Sequence, residues 1–238
     1  MLSLNKSFRF FAILAGILVL IAFGLVLFYA PVEQNMGMVQ KVFYFHVAAA
    51  WLGMLGFLVA ALCAVLYLMK GDLKLDAVAA SSVEIGLLFT AIANFTGMIW
   101  ARPVWNTWWT WDPRLTTMTI MAFTYIAYFL LRRGIDDPAK KARFGSIYLI
   151  IGFATVPLTF FSARLLRTIH PTIFGNAGTG EMAMTPAMYQ TMGFSIFAFS
   201  VLFAVLLIAR TRLRLSERWL EEQEALEQEE EFGEVSGG

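Results

Sequence analysis

Six stretches of about twenty apolar residues recur along this chain, at approximately 9–30, 46–69, 79–100, 114–131, 144–163 and 189–210. Wound as α-helix, twenty residues rise about 30 Å, the thickness of a bilayer's hydrocarbon core. Lipid offers no partner for backbone N–H and C=O groups, so such runs cross as helices. Only 15% of the 238 residues are charged, against roughly 25% in soluble domains. The reading is an all-α, polytopic membrane protein with six transmembrane helices. The first run follows Lys6 and Arg9, exceeds a signal peptide's apolar core and lacks a clear A-x-A site, so it reads as a retained span. The third contains Glu84 near one end, and the fifth contains Pro157, which is expected to kink it.

Basic residues divide unevenly between the two ends of such a bundle. Thirteen Lys/Arg fall at one end and five at the other, namely Lys41, Arg102, Arg114, Arg164 and Arg167. The connection 132–143 alone holds five of the thirteen. Cytoplasmic loops carry the excess of Lys and Arg, so both the N and C termini are expected to be cytoplasmic. Segments 31–45, 101–113 and 164–188 then face outward. Residues 217–238 hold nine Glu and one Arg, whereas residues 1–216 hold 17 Lys/Arg against eight Asp/Glu. We divide the chain into a membrane domain, 1–215, and an acidic cytoplasmic tail, 216–238. Leu215, Trp219, Leu220 and Leu226 recur at near-helical spacing and predict a surface helix over 216–231, with Ser216 as its N-cap. Residues 232–238 read as disordered. The tail serves either to solubilise or to dock a cytoplasmic partner.

Residues 100–114 carry five of the seven tryptophans: Trp100, Trp105, Trp108, Trp109 and Trp111. Connections are usually polar, and interfacial tryptophans usually act as isolated anchors. Five in twelve positions, edged by Arg102, Asp112 and Arg114, suggest a flat apolar surface with charged rims. It suits a large, planar, amphiphilic ligand. The only two histidines, His46 and His170, are expected on the same face. Zinc usually takes three or four protein ligands, and no Cys or carboxylate cluster supplies them. A haem iron needs only one or two axial imidazoles. Its propionates would meet Arg102 and Arg114, while Asp112 would orient a neighbour or accept from an indole N–H.

Other chemistries find less support. The single cysteine, Cys63, lies in an apolar run, and no CxxCH is present, so covalent haem on this chain is not expected. No Walker or dinucleotide motif occurs, and no nucleic-acid partner is expected. Ser81, Ser82 and Thr90 have no histidine nearby in sequence to activate them. Met36, Met38, Met182, Met184 and Met188 read as packing and lipid-contact residues.

The block Trp105-Asn106-Thr107-Trp108-Trp109-Thr110-Trp111-Asp112-Pro113-Arg114-Leu115-Thr116 resembles the WWD signature of haem-handling membrane proteins. Within that group the length, the six spans and one histidine on each side of the signature are similar to the cytochrome c maturation protein C, or haem exporter protein C, family. Phe43-Tyr44-Phe45-His46-Val47 and Thr96-Gly97 agree with it. The resemblance covers about 10–212 and leaves the tail outside. It implies non-covalent haem b, held transiently at the outer face of a bacterial inner membrane. His46 and His170 become its axial ligands, and Trp105, Trp108, Trp109, Trp111 and Asp112 its platform. The implied partners are a membrane-anchored haem chaperone like cytochrome c maturation protein E, ABC-type ATPase and permease subunits, a small single-span subunit, and membrane lipids. The implied role is delivery rather than enzymatic turnover.

The chain departs from the usual family pattern at four places. Asn106 stands where Gly is usual, Pro113 where a small residue is usual, Leu165 and Leu166 where a Trp pair is usual, and Pro171 where Gln is usual. Two other readings use the same residues: a cytochrome c synthase-type haem lyase, and an integral-membrane b-type cytochrome or permease subunit.

Overall fold

A computed structural model describes residues 6–34, 36–171 and 184–236. Six helical spans account for the apolar runs. Helix α1, Lys6–Gly24, continues into a π-helical turn, Leu25–Tyr29. Helix α2, Val42–Lys70, is entered through a 3-10 turn, Met38–Lys41. Helices α3, Leu73–Trp105, and α4, Pro113–Arg133, follow. The fifth span divides into α5, Pro138–Gly152, and α6, Thr155–Leu165, and α7 runs from Pro186 to Ser236. The chain is therefore an all-α, multi-pass membrane protein. The helices overrun their apolar cores because polar caps set their ends. Asp72, Asp112 and Asp137 each accept from a backbone N–H two or three residues on, at 2.7–2.9 Å. Pro113 and Pro138 occupy first helical positions, where a missing N–H costs nothing.

Pro157 breaks the fifth span four residues upstream of itself. Proline cannot donate to the carbonyl four residues back, and its ring crowds that carbonyl. Here that carbonyl belongs to Phe153. It accepts instead from Val156 N at 3.0 Å, and Ala154 N bonds to Ile151 O at 3.2 Å, both tighter i→i+3 turns.

Helices α2 and α3 form the tightest seam. A Cβ built on Gly56 would lie 2.9 Å from Gly86 Cα, and one on Gly53 would lie 2.5 Å from Thr90 Oγ1. Small residues let membrane helices approach closely where no hydrophobic force separates protein from lipid. Ser82 Oγ donates to Gly56 O at 2.8 Å across that seam. Phe57 stacks on Tyr125 at 3.5 Å and 4°, joining α2 to α4.

An even number of spans leaves both termini on one face and the tryptophan-rich segment on the other. The termini face holds an ion network. Arg132 of α4 grips buried Asp76 of α3 with two bonds, 2.6 and 3.0 Å, and Arg218 of α7 adds a third at 2.5 Å. Glu84 Oε2 accepts from Arg210 and Arg214 at 2.8 and 2.9 Å. These pairs strap α7 to α3, and charge placed at membrane depth needs such partners.

The tail departs from expectation. Ser216 caps nothing: its hydroxyl bonds back to Arg212 O at 3.0 Å, inside a helix that passes through it. No proline or glycine interrupts 194–232, so the last span simply continues as α7. Residues 232–236, expected to be disordered, belong to that helix, and 237–238 lie outside the described residues.

Candidate functional site

The alternation of spans gathers the start of α2, the end of α3, the start of α4 and the end of α6 on the tryptophan face. Between them lies a cleft walled by His46, Trp100, Trp105, Trp108, Trp109, Arg114, Arg164 and His170. It descends to Met54 and Met118, and Met54 sits about 12 Å along α2 from His46.

Both histidines engage the same ring nitrogen, Nδ1, with a backbone carbonyl. His46 Nδ1 lies 2.9 Å from Ala93 O, an acceptor, so Nδ1 carries the proton and Nε2 keeps its lone pair. Gly97 makes room for this ring: a Cβ there would fall 3.0 Å from His46 Cε1. His170 Nδ1 likewise donates to Pro171 O at 3.0 Å. Burial, then the positive charge of Arg114, pushes the His170 pKa from its ordinary 6.5 down to about 3. The ring therefore stays neutral, the metal-ligating form. The two ring centroids are 6.4 Å apart at an interplanar angle of 39°.

Asp112 ties the two halves of the site together. Its Oδ1 accepts from Leu115 N at 2.9 Å and caps α4. Its Oδ2 accepts from the Thr168 hydroxyl and from Ile169 N at 3.2 Å. Thr168 Oγ1 then accepts from His170 N at 3.1 Å. The expected orienting role of this carboxylate thus falls on the segment that carries His170.

The indoles do not form the flat surface expected. Trp100 meets Trp105 edge-on at 5.0 Å and 88°, and Trp109 meets Trp111 at 5.8 Å and 81°. The ring quadrupole favours such crossings over coplanar stacks, so the tryptophans wall a cleft instead. Trp105 packs 6.4 Å from His170. Trp111 lies outside the cleft and is 74% exposed.

The two expected arginines separate. Arg114 lines the cleft and donates to Thr159 O and, at 3.2 Å, to Phe160 O. Arg102 turns away and closes the end of α3, donating to Asn106 O at 2.8 Å and to the Asn106 side chain. Asn106 sits at φ 54, the left-handed conformation for which glycine is the usual residue and asparagine the best-tolerated substitute. That accounts for one departure from the family pattern, and the helix-starting position of Pro113 accounts for another. Leu165 and Leu166, which stand where the resemblance expects a Trp pair, are exposed.

Sequence reasoning missed Arg164, Trp100 and Asn94 as lining residues. Trp100 had a signal, since it belongs to the tryptophan cluster. Its indole N–H is buried without a hydrogen-bond partner among the described residues. Met182 lies outside the described residues, and Met188 is buried in a small core with Val26, Tyr44 and Met192, as packing predicted.

The family model for heme exporter protein C matches residues 2–226, further into the tail than the expected limit of 212. The chain is 29% identical over 231 residues to heme exporter protein C of Bradyrhizobium diazoefficiens, covering 92% of this chain and 86% of that one. It is 31% identical over 212 residues to the Rhodobacter capsulatus protein of the same name, covering 85% and 83%. With the Escherichia coli K12 protein it shares 32% over 187 residues, covering 77% and 74%. This six-span membrane protein therefore belongs to the heme exporter protein C family.

Proposed function

We propose that this protein binds haem b at the outer face of a bacterial cytoplasmic membrane and delivers it to a membrane-anchored haem chaperone during cytochrome c biogenesis. The single observation that carries this reading is the paired histidines. Their centroids stand 6.4 Å apart. Two imidazoles on opposite sides of one metal ion, each with a nitrogen about 2.1 Å away, would stand about 6 Å apart. Each Nδ1 is already engaged by a carbonyl, so each Nε2 is available, and such outer bonds fix tautomer and ring direction.

The rest of the cleft suits the same cargo. Indoles offer apolar contact to a macrocycle, and Arg114 and Arg164 stand where carboxylates could be met. Arg102 instead holds the turn that places Trp108. Trp108 is 54% exposed and Trp111 more so, which gives an incoming chaperone an aromatic rim. The excess of Lys and Arg on the termini face supports a cytoplasmic location for both termini. Haem here is cargo: the protein's own residues hold it, orient it and let it go. ABC-type ATPase and permease subunits and a small single-span subunit are proposed as further partners.

The test is transfer. Purified protein loaded with haem is mixed with the apo-chaperone in its membrane, and the chaperone is assayed for covalent haem. Labelled chaperone supports delivery. Haem joined directly to apocytochrome c, with none on the chaperone, favours a haem lyase instead.

A further inference from the structure

A single residue separates the cleft from a second hollow. Asn94 of α3 lines the cleft and also this hollow, a groove along the outside of the seam between α3 and α4. The groove is walled by Leu87, Ala91 and Phe95 on α3 and by Ala122, Ile126 and Phe129 on α4. From Glu84 at its far end to Asn94 it runs about 15 Å along α3. Its walls face the bilayer, since Leu88, Phe95 and Ile126 are all exposed large apolar side chains.

Hydrogen bonds fasten the seam at one end only. Among the described residues, the hydrogen bonds that join α3 to α4 are those of Asp76 with Arg132, on the termini face. Elsewhere α4 is bonded to other helices. Thr117 Oγ1 donates to Ser162 at 3.3 Å, Thr159 Oγ1 donates to Thr117 O at 3.1 Å, and Tyr148 donates to Thr124 O at 2.9 Å, all towards α5 and α6. Asn94, placed at the junction, donates to Thr90 O of its own helix at 3.0 Å rather than across the seam. Toward the cleft the two helices are thus held by apolar contact and the short connection 106–112, beside lipid that supplies equivalent contact.

We propose that the cleft is loaded sideways, from the bilayer, through the α3–α4 seam. The occupant of the groove is the same planar, apolar, carboxylate-bearing macrocycle proposed for the cleft, and this inference rests on that reading for the ligand's identity. An apolar tetrapyrrole dissolved in the membrane meets an apolar groove that shares Asn94 with its binding site, so it need not cross water. The ion pairs of Asp76 and Glu84 close the groove toward the termini face, which directs the occupant to the histidines.

The experiment uses the full chain in phosphatidylethanolamine–phosphatidylglycerol vesicles. Haem is supplied either dissolved in the lipid or from haem–albumin in the outer water, and loading is followed by Soret absorbance. Ala91→Trp and Ala122→Phe fill the groove from opposite helices. Leu62→Trp, on a lipid-exposed face of α2 away from both hollows, is the control. Lipid-borne loading should slow about tenfold in either groove variant, with albumin-borne loading unchanged and the control like wild type. Equal lipid-borne rates in wild type and both groove variants would overturn the route. A wild-type protein that takes haem from neither source contradicts the haem reading itself.

Discussion

The Asp112 carboxylate accepts a hydrogen bond from the Thr168 hydroxyl, 56 residues away in sequence. One side chain thereby caps the helix that follows the tryptophans and holds the strand of chain that presents His170. The geometry of His170, a proposed iron ligand, and that of the aromatic wall are set by the same group. Asp112→Asn keeps one acceptor for the cap and loses the charged acceptor for Thr168 and Ile169. Hydrogen bonds to charged groups contribute about 1.5–3 kcal/mol, so haem affinity should fall roughly tenfold or more. Thr168→Val should do the same, and the double variant little worse than either, because both remove one link. Haem titrations of the three variants measure this; additive losses would separate the two residues.

Gly97→Ala probes the seat of His46, the other proposed ligand. The added methyl would stand 3.0 Å from His46 Cε1 and 3.3 Å from its Nδ1. The ring must move, and the bond to Ala93 O lengthens with it. Overpacking of this kind costs about 1–3 kcal/mol. We expect weaker haem binding with near-normal yield of folded protein. Wild-type affinity in this variant would show that the ring has slack.

Asn106 tests the turn between helix and tryptophans. At φ 54, Asn106→Gly should leave thermal stability within about 1 kcal/mol of wild type. Asn106→Val forces a β-branched side chain into the left-handed region at about 1–3 kcal/mol, and also removes the side-chain acceptor for Arg102. Its melting temperature should drop and its haem content with it.

The ion network on the opposite face is expected to serve stability and to leave the coordination of bound haem untouched. Arg132→Met leaves Asp76, 1% exposed, without its two-bond partner. Removing one member of a buried pair costs about 3–5 kcal/mol. Detergent-solubilised protein should melt markedly earlier, while the haem spectrum per folded molecule stays as in wild type. A changed spectrum would link the two faces.

The six spans were legible because hydropathy in lipid is a one-dimensional signal. The helix ends were less so: α3 runs past its apolar core to Trp105 because Asp72 and Asn106, not hydrophobicity, set its limits. Ser216 was misread as a cap because composition changes there, whereas the backbone responds to breakers, and none stands nearby. In the site, the types His, Trp and Arg suggested a ligand, and alternation of spans brought His46 and His170 to one face. Sequence held no trace of the Asp112–Thr168 bond, of Arg102 turning back on Asn106, or of Asn94 joining two hollows. Each depends on which way a side chain points from its helix once neighbours pack. Neither histidine lies at mid-span, since His46 is in the second turn of α2 and His170 follows α6, which sets the site apart from a haem buried within the bundle.

The central claim is that His46 and His170 hold one iron between them. Its most direct test is the visible and electron paramagnetic resonance spectrum of the haem-loaded protein, compared with His46→Ala and His170→Ala, before and after addition of imidazole. The account predicts a six-coordinate, low-spin bis-imidazole spectrum in wild type. Each variant should lose haem or turn five-coordinate, and free imidazole should restore the low-spin form. Low-spin spectra unchanged in both variants without imidazole would contradict it.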